Sequence, residues 1–194
     1  MTRIVVVDPQ PAVRAGLAMM LRTEPGLVPV GSAVGAGDGL ELVERQRPDV
    51  VLLDPHLLDG DGLATCRRLR SGEHPPRVVL YSSDADPTLA VTARVAGADG
   101  LIDKSAPPAE LFEAIRVVAR GGVALPPIGR KELDAAADKA DPDDLALLAM
   151  LMDRTSPAEV AETLHLDRRR VARRIERLLG RLRGRPPRPR ARPA

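Results

Sequence analysis

Apolar residues along this chain come in two alternating rhythms, short β-branched blocks and longer runs with helical spacing. Residues 4–7 (Ile-Val-Val-Val) make a block of buried-strand type. Val13, Leu17, Met20 and Leu21 follow at i, i+4, i+7 and i+8, which is one face of a helix. Residues 28–34 read as a weaker strand, and Leu40, Leu42 and Val43 sit on a short helix that stops before Pro48. The pattern then repeats: a strand at 50–53, a helix through Leu63 and Leu69, a strand at 78–81, and a helix at 87–96 ending at Gly97. A short strand at 100–102 and a helix at 107–119, closed by Gly121-Gly122, complete the series.

Five βα units whose strands are continuous apolar runs, not alternating ones, predict an α/β fold with a parallel sheet covered on both faces. The expected arrangement is a flavodoxin-like, doubly wound, five-stranded sheet of order 2-1-3-4-5. Its working groups would lie beyond the carboxyl ends of the strands. Asp8, Asp54, Ser82 and Lys104 each stand at such an end. One carboxylate after one strand is weak evidence, since an Asp–Lys salt bridge is ordinary there. Four polar groups converging from strands 1, 3, 4 and 5 predict a site.

The pattern changes after residue 122. Residues 123–141 lack a sustained apolar face and read as a linker, with some helix within it. Leu145, Leu148 and Met152 begin a new helix. Ser156-Pro157-Ala158-Glu159 is a complete helix start, with a Ser N-cap, Pro at N1 and Glu at N3 closing a capping box. A turn at His165-Leu166-Asp167 leads into a last helix capped by Asp167, with Val171, Ile175, Leu178 and Leu182 on one face. Pro186-Pro187 ends it. The expected organisation is thus an α/β domain at 1–122, a linker at 123–141, a small all-α helix-turn-helix domain at 142–184, and a disordered Pro/Arg tail at 185–194.

Charge sharpens this division. The last thirty residues hold twelve arginines against Asp167 and Glu176, a net +10, and the remainder sums to −8, although the whole chain is only +2. An acidic module joined to a basic one implies that the basic part seeks a polyanion. At 100° per residue, Arg169, Arg173 and Glu176 lie opposite the apolar stripe of the last helix, with Arg170 and Arg177 flanking them. Arg168, Arg174 and Arg181 border the stripe. Glu176 is expected to pair with Arg173 one turn back. Tyr81 and Phe112 are the only aromatics, so stacking on single-stranded nucleic acid is unavailable as a binding mode and a duplex is favoured.

Cys66 stands alone, which excludes an intrachain disulfide framework and reads as a small apolar helix residue. His56 and His74 lack the companions of a zinc site, and His165 is expected to be exposed or packed in its turn. No apolar run approaches the length of a membrane span or a signal peptide, so a soluble, cytoplasmic protein is expected. No second acid–base residue accompanies Asp54, so an enzyme using it as a nucleophile is disfavoured and no catalytic residue is assigned.

The residues carry a resemblance. Ile4-Val-Val-Val-Asp8, the stretch from Val51-Leu-Leu-Asp54 to Gly62, Leu80-Tyr-Ser82 and Ala96-Gly-Ala-Asp-Gly-Leu-Ile-Asp-Lys104 look like a response-regulator receiver domain over about residues 1–122. The resemblance implies that Asp54 accepts a phosphoryl group from a sensor histidine kinase, and that Lys104 and Ser82 contact the phosphate. It also implies Mg²⁺ held by Asp8, Asp54 and the backbone carbonyl of His56. The sequence departs from that pattern at Pro9, where the family carries a second acid, at Leu101, usually aromatic, and at Leu57-Leu58, usually Met-Pro. Tyr81, next to Ser82 on its strand, is expected to face the other way and so not to replace the missing aromatic.

The segment from Ser156 to Leu182 resembles the DNA-binding domain of NarL/LuxR-type regulators. By that resemblance Arg168, Arg169, Arg170, Arg173, Arg174 and Arg177 belong to the recognition helix and contact DNA. The family's usual Leu-Thr-x-Arg-Glu opening is replaced by Asp141-Pro-Asp-Asp-Leu145, and its fourth, dimerising helix has no counterpart. A homodimer would therefore have to form through the receiver or another surface. The combined reading is a transcriptional regulator of a two-component-type system, an atypical receiver controlling a truncated helix-turn-helix domain. Two alternatives stay open: a phosphorylation-independent regulator controlled by a ligand or partner, and a receiver-linked RNA-binding antiterminator.

Overall fold

The computed structural model describes residues 1–184; the Pro/Arg tail expected at 185–194 lies outside them. The chain divides into two compact units, Met1–Pro127 and a second beginning at Ile128. In the first, β1 (Thr2–Val7), β2 (Leu27–Ala33), β3 (Val50–Leu53), β4 (Arg77–Ser82) and β5 (Gly100–Asp103) form one sheet of order β2-β1-β3-β4-β5. Every pairing is parallel. Helices α1 (Pro11–Thr23) and α5 (Pro108–Ala119) pack Leu17, Leu21, Leu111 and Ile115 against Ile4, Val6, Leu52, Val79 and Tyr81. The next helices in chain order, α2 (Ala36–Gln46), α3 (Gly62–Arg70) and α4 (Pro87–Ala96), neighbour one another and the strands. Strands buried on both faces explain why their sequences read as unbroken apolar runs.

The weak second strand has a physical reason. β2 is an edge strand, Pro29 within it has no N–H to donate, and the register with β1 shifts between Ile4 and Val5. The last helix residue before Gly97 is Ala96, as the pattern predicts, because Gly97 adopts φ +84 and ends α4 in the left-handed region.

The second unit is all helix. It contains α6 (Arg130–Lys139), a 3-10 turn at Pro142–Asp144, α7 (Leu145–Met152), α8 (Pro157–Thr163) and α9 (Arg168–Leu182). The segment expected within the linker thus forms a full helix, α6. It packs on α9 through buried Ala136, and Lys139 Nζ donates to the Leu182 carbonyl at 3.2 Å, meeting an orphan acceptor at the end of α9. The capping box is present: Ser156 Oγ accepts from Glu159 N at 3.2 Å, and Glu159 Oε2 accepts from Ser156 N at 2.9 Å. Asp167 caps α9 through Arg170 N at 2.8 Å. Val171, Ile175, Leu178, Leu179 and Leu182 are buried, the stripe read from sequence plus Leu179. Among the described residues no helix is long and apolar enough to cross a membrane.

Candidate functional site

The sheet carries the four chemistry-bearing residues to one end. Asp54 N donates to the Val7 carbonyl at 2.9 Å and Asp8 N to the Ala33 carbonyl at 3.1 Å, so both residues extend the parallel ladder one step past their strands. Lys104 N is fixed the same way, on the Ser82 carbonyl at 2.8 Å. Side chains mounted on a buried sheet therefore meet with little freedom. Lys104 Nζ lies 2.6 Å from Asp8 Oδ2 and 2.6 Å from Asp54 Oδ2. Asp8 is 1% exposed and Asp54 5%, burial that two carboxylates tolerate only when paired and hydrogen-bonded. Here the other two oxygens are also satisfied, Asp8 Oδ1 by Gln10 N at 2.8 Å and Asp54 Oδ1 by His56 N at 2.6 Å. Burial lowers the Lys104 pKa, but its hydrogen bonds to Asp54 and Asp8 outweigh that and hold it above the ordinary lysine value.

Ser82 is at the same end but outside this cluster. It is fully buried, and its Oγ accepts from Asp84 N at 3.1 Å. The loop after Asp54 is shaped by Gly62, where an added Cβ would lie 2.3 Å from the Asp54 carbonyl oxygen. Asp59 ties the same loop across to α2, accepting from Ala36 N at 2.8 Å and Gly37 N at 3.2 Å, and these bonds lower its pKa. His56 and Asp84 flank the opening, with His56 Nε2 4.0 Å from Asp84 Oδ2.

Three contacts around this end of the sheet are not legible in the sequence. Arg14, one turn into α1, donates from Nη1 to the Asp8 carbonyl at 2.7 Å. Asp59, just described, is the second. Tyr81 is the third, through a contact the sequence did not show: its ring centre is 5.8 Å from Lys104 Nζ, and its hydroxyl donates to the Lys104 carbonyl at 3.4 Å. The ring points away from Ser82 into the core, as strand alternation requires, yet Lys104 reaches over it. Burial pushes the Tyr81 phenol above its ordinary value, with Lys104 pulling the other way. Cys66 is buried, donates weakly to the Ala96 carbonyl at 3.6 Å, and has a thiol pushed up to about 12 by burial, so it is inert.

Mg²⁺, the ion the resemblance implies, requires near-octahedral oxygen ligands. The donor set is one carboxylate short for it. Pro9 contributes no side-chain oxygen, the facing oxygens of Asp8 and Asp54 share the Lys104 ammonium, and their other oxygens hold backbone N–H groups. Among the described residues no group of three or more His, Cys, Asp or Glu side chains is arranged to hold a metal.

The arginines of α9 fall into two sets. Arg168, Arg169, Arg170, Arg173 and Arg177 are exposed, and among the described residues their side chains join no salt bridge. Arg174 differs from its expected role. Its Nε donates to Asp144 Oδ1 at 2.6 Å, its Nη2 donates to the Asp143 carbonyl, and its side chain is 16% exposed against 2% for Asp144. Arg181 likewise pairs with Asp141. Both border the apolar stripe, so they turn inward to the acidic turn ahead of α7. Glu176 also departs from expectation: it is exposed and forms no pair with Arg173 among the described residues.

Comparison with known proteins agrees with this arrangement. The family model "Response regulator receiver domain" matches residues 4–116. The DNA-binding transcriptional activator DevR/DosR of Mycobacterium tuberculosis is 31% identical over 192 residues, covering 94% of this chain and 88% of that protein. The nitrate/nitrite response regulator protein NarL of Escherichia coli is 33% identical over 122 residues, 63% of this chain and 56% of its own length. Among solved structures, a LuxR-family two-component response regulator from Aurantimonas superposes with a TM-score of 0.62 at 32% identity, covering 66% of this chain and 91% of that one. A receiver match over more than half the chain, together with a relative aligned nearly end to end, places this protein in the family of two-component response regulators of the NarL/LuxR type.

Proposed function

We propose that this response regulator binds double-stranded DNA through α9 and that the cleft around Asp54 controls when it does so. The observation that carries the reading is the solvent face of α9. Five arginines stand there without an ion pair among the described residues, although solvated helix faces ordinarily mix signs. A guanidinium fork pairs with phosphate oxygens or with guanine O6 and N7, and a capped helix after a short turn is the element that enters a major groove. Arg168, Arg169, Arg170, Arg173 and Arg177 are the contact residues; Arg174 leaves that set and holds the helix in place.

Asp54 is the proposed phosphoacceptor. A phosphoryl group there adds about −1.5 to −2 charges and strong acceptor oxygens. Lys104 already touches Asp54 Oδ2 and follows the new charge. Ser82 then gives up its bond from Asp84 N to donate to a phosphate oxygen, which moves the loop after β4. A sensor histidine kinase supplies the phosphoryl group in this reading. Pro9 and the closed cluster favour a second reading, in which the cleft is controlled without phosphorylation by a partner or ligand.

One assay separates them. Wild type and Asp54→Asn are incubated with acetyl phosphate, with and without Mg²⁺, and weighed by intact-mass spectrometry. One added phosphoryl group on wild type and none on the variant is the expected result. No addition to either, with promoter binding intact, establishes the second reading.

A further inference from the structure

We propose that the arginine–proline segment after α9, from Gly184 to Arg192, is a second DNA-binding element. It lies in the minor groove of A·T-rich duplex, beside the major groove that α9 enters. The inference rests on α9 as the duplex-binding helix and adds a second groove and a preferred base composition to it. Gly184 is followed by Arg185-Pro186, and the remaining residues are Pro, Arg or Ala only. From Gly184 onward the chain carries four arginines and four prolines, with no acid, lysine or aromatic.

Charge alone would send these residues to any polyanion; shape and chemistry select the minor groove. Proline fixes φ and lacks an N–H, so Pro186, Pro187 and Pro189 are unsuited to a helix and favour an extended backbone. The minor groove is about 6 Å wide, too narrow for a helix but open to an extended chain. A narrow A·T groove has an enhanced negative potential that draws arginine in, whereas the amino group of guanine projects from the groove floor. With no bulky apolar residue after Leu182 the segment has no wedge to part base steps, so it suits a groove that is already narrow. The fold delivers the segment from a fixed point. Leu182 is buried and its carbonyl accepts from Lys139 Nζ at 3.2 Å, which anchors the end of α9. Gly184 then turns the chain at φ +69, and among the described residues nothing packs within 4 Å of where its Cβ would be. Residues 185–192 span roughly 25 Å at about 3.1 Å each. Neighbouring grooves are about half of a roughly 34 Å helical repeat apart, so the reach suffices.

The test is a binding titration of the full chain on three duplexes that share one central sequence and differ in their flanks: A·T, G·C or inosine·C. Inosine lacks the 2-amino group of guanine, so inosine·C keeps the major-groove edge of G·C while its minor groove matches A·T. Wild type is expected to bind A·T and inosine·C flanks alike, about tenfold more tightly than G·C flanks. Arg185→Ala with Arg188→Ala should erase that ratio, and both positions lie beyond the last buried residue of α9, so the helical unit still folds. Arg169→Ala with Arg173→Ala should weaken all three complexes and leave the ratio in place. Equal wild-type affinity for the three flanks overturns the proposal, as does a ratio that survives the loss of Arg185 and Arg188; either result leaves α9 as the binding helix. Inosine·C flanks that behave as G·C overturn it too, because the flanks are then read from the major groove. No binding to any of the duplexes removes α9 as the DNA-contacting element and this proposal with it.

Discussion

The receiver cleft and the outer face of α9 treat charge in opposite ways. In the cleft every carboxylate oxygen of Asp8 and Asp54 has a donor within 2.8 Å, and the lysine that serves two of them is largely out of solvent. On α9 five arginines remain in water without a counterion among the described residues. A buried charge is stable only when matched inside the fold, whereas an exposed one keeps its hydration and stays available to something else. The first region is consequently a place where the molecule holds itself, and the second is a place where it is prepared to hold another. Arg174 shows the boundary between the two regimes within one helix, since a turn of rotation separates it from Arg170 and Arg177 yet its guanidinium is tied to Asp144.

The sharpest way to break this contrast is to strand Arg174. Asp144→Ala should destabilise the C-terminal unit by about 3–5 kcal/mol, because it leaves a guanidinium buried without its partner; urea denaturation measures it. If the cost is below about 1 kcal/mol, Arg174 belongs with the exposed set after all. Next in size, Arg169→Ala with Arg173→Ala should leave the denaturation curve unchanged but weaken duplex binding. Its logarithmic salt slope should fall by about 0.9 for each phosphate contact removed. Gel-shift titration at several salt concentrations checks it, and unchanged retention rules out α9 as the DNA-contacting element. Ser156→Ala should cost about 1 kcal/mol by opening the capping box at α8, and a comparable loss should follow from Glu159→Ala only if the box acts reciprocally.

The smallest effect concerns Asp59. Its carboxylate pKa is lowered by the N–H groups of Ala36 and Gly37, so its contribution is complete above the ordinary value of 3.8 and is lost as pH falls through its lower folded value. Melting temperatures of wild type and Asp59→Asn should therefore differ at neutral pH and converge in acid. A difference that does not shrink at all as the pH is lowered through the acid range rejects the link. Lys104 has the opposite sign. With a folded pKa above the ordinary 10.5, its stabilisation is constant through the neutral range and disappears only as pH rises beyond that value.

Most of the fold was legible because it is written locally. Strand blocks, the Gly97 stop, the Ser156 capping box and the Asp167 cap each depend on residues within a few positions of one another. Asp8, Asp54 and Lys104 were also legible, since strand ends in a parallel sheet converge whatever the loops do. What escaped was set by packing across long stretches of chain. Nothing near Asp59 in sequence reveals that α2 begins beside it, and nothing near Tyr81 shows that Lys104 folds back over its ring. Arg174 was a half-reading. The helical wheel put it on the border of the apolar stripe, but not the fact that Asp143 and Asp144, the departure from the usual domain opening, would be its partners. Those acids and that arginine are one feature seen from two places in the sequence.

Tyr81 is the only tyrosine of the chain, which has no tryptophan, so its intrinsic ultraviolet emission above 300 nm comes from a single ring beside Lys104. Fluorescence of the unlabelled protein is thus a site-specific optical reporter. When the lysine withdraws or changes partner, that one signal changes its quantum yield, with no background from elsewhere in the molecule.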